Sequence, residues 1–98
     1  MAFRIRWSEP AIQSFETICQ YIEQFSVPYA KLLAREINIR VKQLAQHPLM
    51  GRKVPEFPDK DYREVIFHDY RIIYRVREDR VEIGIIWHGA RILKEPFH

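Results

Sequence analysis

Residues 62–91 read YREVIFHDYRIIYRVREDRVEIGIIWHGAR, and the periodicity of this stretch decides the fold. Tyr70, Ile72, Tyr74 and Val76 alternate with Arg71, Ile73, Arg75 and Arg77. A period of two places successive side chains on opposite faces of a strand. Val81, Ile83, Ile85 and Trp87 alternate in the same way with Glu82, Gly84, Ile86 and His88. Residues 62–67 form a shorter strand ahead of them. His68-Asp69 and Glu78-Asp79 fall between the strands as turn centres, because Asp and its neighbours tolerate turn geometry. Three antiparallel strands follow, with an aromatic and aliphatic face turned to a core. The other face is expected to carry three arginines and, through strict alternation, the His88 imidazole.

Outward from this stretch, Phe3-Arg4-Ile5-Arg6-Trp7 alternates and predicts an opening strand. Ser8-Glu9-Pro10 is a helix start, with Ser as N-cap and Pro in the first turn. Ala11, Ile12, Phe15, Ile18, Cys19, Ile22 and Phe25 then recur at three and four, giving one apolar helical stripe. Ser26-Val27-Pro28 repeats the start signal at once, so two helices form an antiparallel hairpin. Ala30, Leu33, Ala34, Ile37, Val41, Leu44 and Ala45 make the second stripe. That helix stops near His47, because Pro48 disfavours helix for the residue before it. The expected fold is α+β in the order β-α-α-β-β-β, a single domain over residues 1–98. Its helical hairpin packs on one face of a mostly antiparallel sheet, since neither stripe nor sheet can otherwise hide its apolar side.

Two regions stand outside this scheme. Leu32 and Ile39 lie seven apart and off the second stripe, with Tyr29 nearby, which marks a candidate partner-binding surface. Pro48 to Asp61 is a connector with three prolines, carrying Arg52 and Lys53. Long connectors in small domains are often functional, and a solvated crossing from helix to sheet is the alternative.

Composition bounds the partners. The 98 residues are 47% hydrophobic with a formal net charge of +3, enough for one core and mildly basic. Cys19 is the sole cysteine, which excludes an internal disulfide and suits a reducing cytoplasm. It falls on the apolar stripe and is expected in the core. No apolar run reaches membrane-spanning length and no signal-peptide pattern opens the chain, so a cytoplasmic protein without a membrane partner is expected. His47, His68, His88 and His98 have no zinc spacing, and Gly51, Gly84 and Gly89 make no phosphate loop. No metal and no cofactor are expected.

The arginine face remains. If the strands pair as written, Arg63 and His88 approach Arg71, Arg75 and Arg77, and Arg91 follows three residues after His88. Such a set fits phosphate binding through forked guanidinium donors. It also fits RNA cleavage, with His88 moving protons and arginines holding the phosphate. Taken residue by residue, it better fits strand arginines paired with Glu64, Glu82 and Asp69 across the sheet.

The ordered set of elements and motifs resembles the RelE/ParE superfamily of toxins from bacterial type II toxin–antitoxin modules. The resemblance runs through Ser8-Glu9-Pro10-Ala11, the helical hairpin, His47-Pro48-Leu49-Met50-Gly51-Arg52 and Tyr62-Arg63-Glu64-Val65. It continues through Tyr70-Arg71-Ile72-Ile73-Tyr74-Arg75-Val76 and Ile85-Ile86-Trp87-His88-Gly89-Ala90-Arg91. RelE-like members cut mRNA in the ribosomal A site, and ParE-like members poison DNA gyrase. By motif position Arg63, Arg71 and Arg91 match basic residues of the ribonucleases. Val65 falls where those carry a lysine, no tyrosine follows Arg91, and His88 is the candidate substitute. The closely linked helices and the HPLMGR turn are more similar to ParE. The resemblance therefore implies a toxin held by a cognate antitoxin and directed at DNA gyrase. In that reading Arg52, Lys53, Arg71, Arg75, Arg77 and Arg91 contact the target or nucleic acid, and Tyr29, Leu32 and Ile39 contact the antitoxin. One alternative is a ribosome-dependent mRNA endoribonuclease using Arg63, Arg71, His88 and Arg91. The other is a non-toxic RNA- or phosphate-binding module.

Overall fold

The computed structural model describes residues 2–89, 91 and 93–97. Ala90 of the last motif, and Ile92 and His98 of the tail, lie outside the described residues. The elements are β1 (Arg4–Trp7), α1 (Glu9–Glu23), α2 (Val27–Gln46), β2 (Arg52–Lys53), β3 (Arg63–Phe67), β4 (Tyr70–Arg77) and β5 (Arg80–His88). They form one sheet in the order β1-β5-β4-β3-β2. β1 runs parallel to β5 at one edge, and the other pairs are antiparallel. The α+β layout and the mostly antiparallel sheet are as the periodicities predict, with the two-residue β2 added inside the connector.

Local chemistry sets the boundaries. The Ser8 hydroxyl accepts from the Ala11 N–H at 3.1 Å, and the Ser26 hydroxyl accepts from the Tyr29 N–H at 3.2 Å. Each satisfies a donor that the first helical turn leaves unpaired. The hairpin loops are the expected ones, but the unusual backbone falls on the first residue of each. His68 has φ 53° and Glu78 has φ 55°, a region where a Cβ is unfavourable.

The main core lies between the hairpin and the sheet. Leu33, Ile37, Val41 and Leu44 of α2 meet Val65, Phe67, Ile72, Tyr74, Val81, Ile83 and Ile86 of the strands. α1 contributes Ala11, fully buried, while its Phe15, Ile18 and Ile22 are only partly covered. The Tyr74 hydroxyl donates to the Pro48 carbonyl at 2.8 Å and accepts from the Gly51 N–H at 2.9 Å. A Cβ on Gly51 would come within 2.7 Å of that hydroxyl and of the Glu64 carbonyl, so glycine permits the close turn after α2.

One irregularity changes the faces of the sheet. Ile73 pairs with Ile85, but Tyr74 pairs with Ile83, so Gly84 is an extra residue in β5. Such a bulge breaks strict alternation. Val81, Ile83, Ile86 and His88 are opposite Val76, Tyr74, Ile72 and Tyr70, on the helix side. Glu82, Ile85 and Trp87 are opposite Arg75, Ile73 and Arg71, on the far side. The serine that caps α1 and one within it take up the displaced backbone. The Ser8 hydroxyl donates to the Gly84 carbonyl at 2.9 Å, and the Ile86 N–H donates to the Ser14 hydroxyl at 3.0 Å.

The far face is also covered at its centre, where the sequence suggested an open cationic surface. Val54, Tyr62, Ile73 and Leu93 are buried there, with Phe57, Ile85, Trp87 and Phe97 packed around them. The apolar Ile73, Ile85 and Trp87 create area that the connector and tail remove from water. The ring of Phe97 fills the space over Gly84, where a Cβ would come within 2.7 Å of it.

Candidate functional site

Arg71 is the centre of a charge network built from β3, β4 and the connector. Its Nε donates to Glu64 Oε1 at 2.6 Å, and its two terminal nitrogens reach the two Glu56 oxygens at 2.7 and 2.8 Å. Nη2 lies 2.5 Å from Glu64 as well. Arg52 closes the far end, with Nε 2.5 Å from Glu64 Oε2. Arg71 is 8% exposed and Glu64 1%. Burial of an ion is costly unless partners surround it, and here four contacts meet the buried guanidinium. Hydrogen bonds from Arg71 hold the Glu56 carboxyl at about 2, and the same bonds raise Arg71 above its ordinary value. A second group links Arg75 and Arg80 to Glu82 at 2.7 and 3.0 Å. The Arg75 guanidinium also lies 4.0 Å from the centre of the Phe97 ring. Glu82 is held below the usual carboxylate range, first by its hydrogen bond from Arg75. The cross-strand pairing with Glu64 and Glu82 is thus the arrangement the structure adopts. Arg77 is looser, 3.8 Å from Asp61.

The remaining residues of the expected cationic face are dispersed. Strict alternation put His88 beside the arginines; the Gly84 bulge turns it to the helix side, where its ring meets Tyr70 edge-on at 5.6 Å. Burial raises the Tyr70 phenol. Arg63 stands opposite Tyr74, also on the helix side, and donates to the Gly51 carbonyl at 2.8 Å. It steadies the turn after α2 rather than joining Arg71. Lys53 pairs with Arg63 on β2 and is exposed. Arg91 is exposed beyond β5, its carbonyl accepting from Trp87 Nε1 at 3.1 Å.

A groove of about 370 Å³ at the His68-Asp69 end of the sheet is the place where some of these residues converge. Arg52, Glu56, His68, Tyr70, Arg71 and His88 are among its walls. It brings Arg52, Arg71 and His88 to one rim from different faces, with the Arg71 donors turned into their two glutamates.

The hairpin carries a second, apolar surface. Tyr29, Leu32 and Ile39 are exposed, as their place off the stripe indicates. They are joined by residues assigned to the core from sequence: Ile12 is 45% and Phe25 73% exposed. A separate groove of about 410 Å³ along α1 is lined by Trp7, Ile12, Phe15, Glu16, Cys19 and Asn38. Trp7 and Phe15 stack at 5.4 Å within it. Cys19 is half-buried on this wall, its thiol raised by burial and then by Glu23. The stripe was legible in sequence, but α1 is covered only along its inner edge, so the outer part faces solvent.

Among the described residues no helix is long and apolar enough to cross a membrane, and no group of His, Cys, Asp and Glu is placed to hold a metal ion. A family model described as the ParE toxin of the type II toxin–antitoxin system parDE matches residues 5–93. Among solved structures, a chain of a chromosomal ParDE toxin–antitoxin system from P. aeruginosa superposes with a TM-score of 0.71. The match covers 89% of this chain and 96% of that one at 19% identity, a likeness of fold. No curated protein matches the sequence significantly.

Proposed function

The chain belongs to the ParE toxin family of type II toxin–antitoxin systems, and from that footing we propose that it arrests growth in the cytoplasm by binding DNA gyrase, held inactive by a cognate antitoxin. Function resides in the site rather than the scaffold, so the choice of target rests on side chains. The observation that carries it is the state of Arg71. A ribonuclease needs cations free to meet charge developing on phosphate, together with a group to move the proton. Arg71 is buried and spent on Glu56 and Glu64. His88, on the other face against Tyr70, shares only the groove rim with it, where the Arg71 donors are already taken. Those placements favour a toxin that acts by docking over one that acts by proton transfer.

The antitoxin occupies the hairpin in this reading. Its amphipathic segment lays apolar side chains over Tyr29, Leu32 and Ile39 and into the groove beside Trp7 and Ile12, which removes that surface from water. Leu32→Glu is expected to weaken antitoxin binding while leaving toxicity intact. Supercoiling by purified gyrase with added protein tests the target. Inhibited supercoiling, retained by His88→Gln, is the expected result. Unchanged supercoiling together with cleaved mRNA on translating ribosomes overturns the proposal in favour of the endoribonuclease.

A further inference from the structure

Across the sheet from the hairpin, at the end that carries the Glu78-Asp79 turn, the register gathers a second set of arginines. Arg4, Arg80 and Arg77 form one row across β1, β5 and β4, and Arg6, Glu82 and Arg75 form the next. Directly opposite residues share a face, so five guanidiniums stand on one side of three adjacent strands. The strands are about 4.8 Å apart, so each row spans roughly 10 Å. The acids facing this array are Glu82, which takes Arg75 and Arg80, Asp79, which takes Arg4 at 3.1 Å, and Asp61, 3.8 Å from Arg77, with Glu78 in the adjoining turn. Arg6 has no ion pair among the described residues. The side chains of Arg4 and Arg77 are 76% and 43% exposed.

We propose that this arginine array is a contact surface for the phosphate backbone of double-stranded DNA. A protein segment docks through apolar anchors in pockets, and such anchors lie on the hairpin, on the other side of the sheet. The arginine array offers instead a flat spread of forked donors, which suits a repeating polyanion. Backbone contact of this kind positions without reading sequence. It rests on the gyrase reading for the source of the duplex: a toxin seated on gyrase would lie beside the DNA that gyrase holds. Arg75 and Arg80, tied to Glu82, hold the array rigid, while Arg6 and Arg77 have the most freedom to reach outward. The array includes Arg75 and Arg77 of the sequence-predicted set and adds Arg4, Arg6 and Arg80.

The test is fluorescence anisotropy of a labelled duplex of about 20 base pairs with the purified toxin, without gyrase, from about 50 to 200 mM salt, a range over which phosphate contacts weaken steeply. Three neutralised phosphates, one each for Arg4, Arg6 and Arg77, predict a log–log slope of about −3. Arg6→Glu with Arg77→Glu should lower affinity at least tenfold and flatten the slope by about two, one for each phosphate no longer neutralised. Lys31→Glu with Lys42→Glu, on the hairpin, makes the same change in net charge and should weaken binding far less. A wild-type protein that fails to bind the duplex at the lowest salt overturns the proposal. So does an equal drop in affinity in the two double variants, which would make the effect one of net charge alone. Failure of gyrase inhibition with DNA binding intact would count against the target and not against this surface.

Discussion

Replacing Arg71 with alanine should destabilise the protein before it tells anything about activity. The substitution removes both contacts that β4 makes to Glu64, a carboxylate 1% exposed. Glu64 then keeps only Arg52, whose side chain is 62% exposed and partly solvated. Removing one partner of a buried ion pair typically costs about 3–5 kcal/mol, because the other charge is left uncompensated. The surviving Arg52 contact, and the freedom of Glu56 to turn to water, put this case near the lower end, about 3 kcal/mol. For a domain of this size that corresponds to a fall in melting temperature of about 12–24 °C. Urea unfolding followed by circular dichroism measures it directly. Arg71→Met combined with Glu64→Met should recover most of the stability, since replacing both members by apolar groups of similar volume is often close to neutral. An Arg71→Ala protein as stable as the parent to within about 1 kcal/mol, a typical cost of an ordinary point mutation, would refute the network. A double variant as unstable as the single one would refute it too. Any loss of toxicity in Arg71→Ala must therefore be read against its folded fraction.

Three other outcomes follow from particular contacts. Glu56 is held at about 2 against an ordinary 4.5, so the folded state binds fewer protons than the unfolded one between those values. Its contribution is fully present above about pH 4.5 and is lost as pH falls toward 2; the stability advantage of the parent over Glu56→Gln should vanish across that window, and a gap independent of pH would contradict the assignment. Ser14→Ala leaves the Ile86 N–H at the bulge without its acceptor and should cost about 1–3 kcal/mol in urea unfolding, whereas a change below about 0.5 kcal/mol would mean that the bulge does not depend on it. Glu78→Gly relieves a side chain held at φ 55° and should stabilise by up to about 1 kcal/mol in thermal melts, unless the turn relaxes to a different backbone.

The order of elements was legible from sequence because helix and strand periods are local. Ser8 and Ser26 announce the helix starts, Pro48 the end of α2, and the alternation over residues 70–77 names the face of β4 correctly. The family resemblance was legible for the same reason, as an ordered series of such local motifs. The expected meeting of His88 with the arginines depended on β5 alternating without interruption. Gly84 breaks that alternation, and the break is stabilised by Ser8 and Ser14, from a helix and its cap some seventy residues earlier in the chain. An isolated glycine in a strand, followed by an apolar Ile86 where strict alternation wants a polar residue, is a signal of a bulge within β5 itself. Only the pairing with β4, however, shows that the register shifts there. The same holds for charge. Whether Arg71 is a free cation or a spent one depends on Glu56 and Glu64, which only folding brings to its two edges. The apolar stripe of α1 was plain in sequence, yet how much of it stays exposed depends on the width of the sheet beneath it. Sequence determined which residues share a local period; the pairing of distant segments decided which of them share a face, a partner and a place in water.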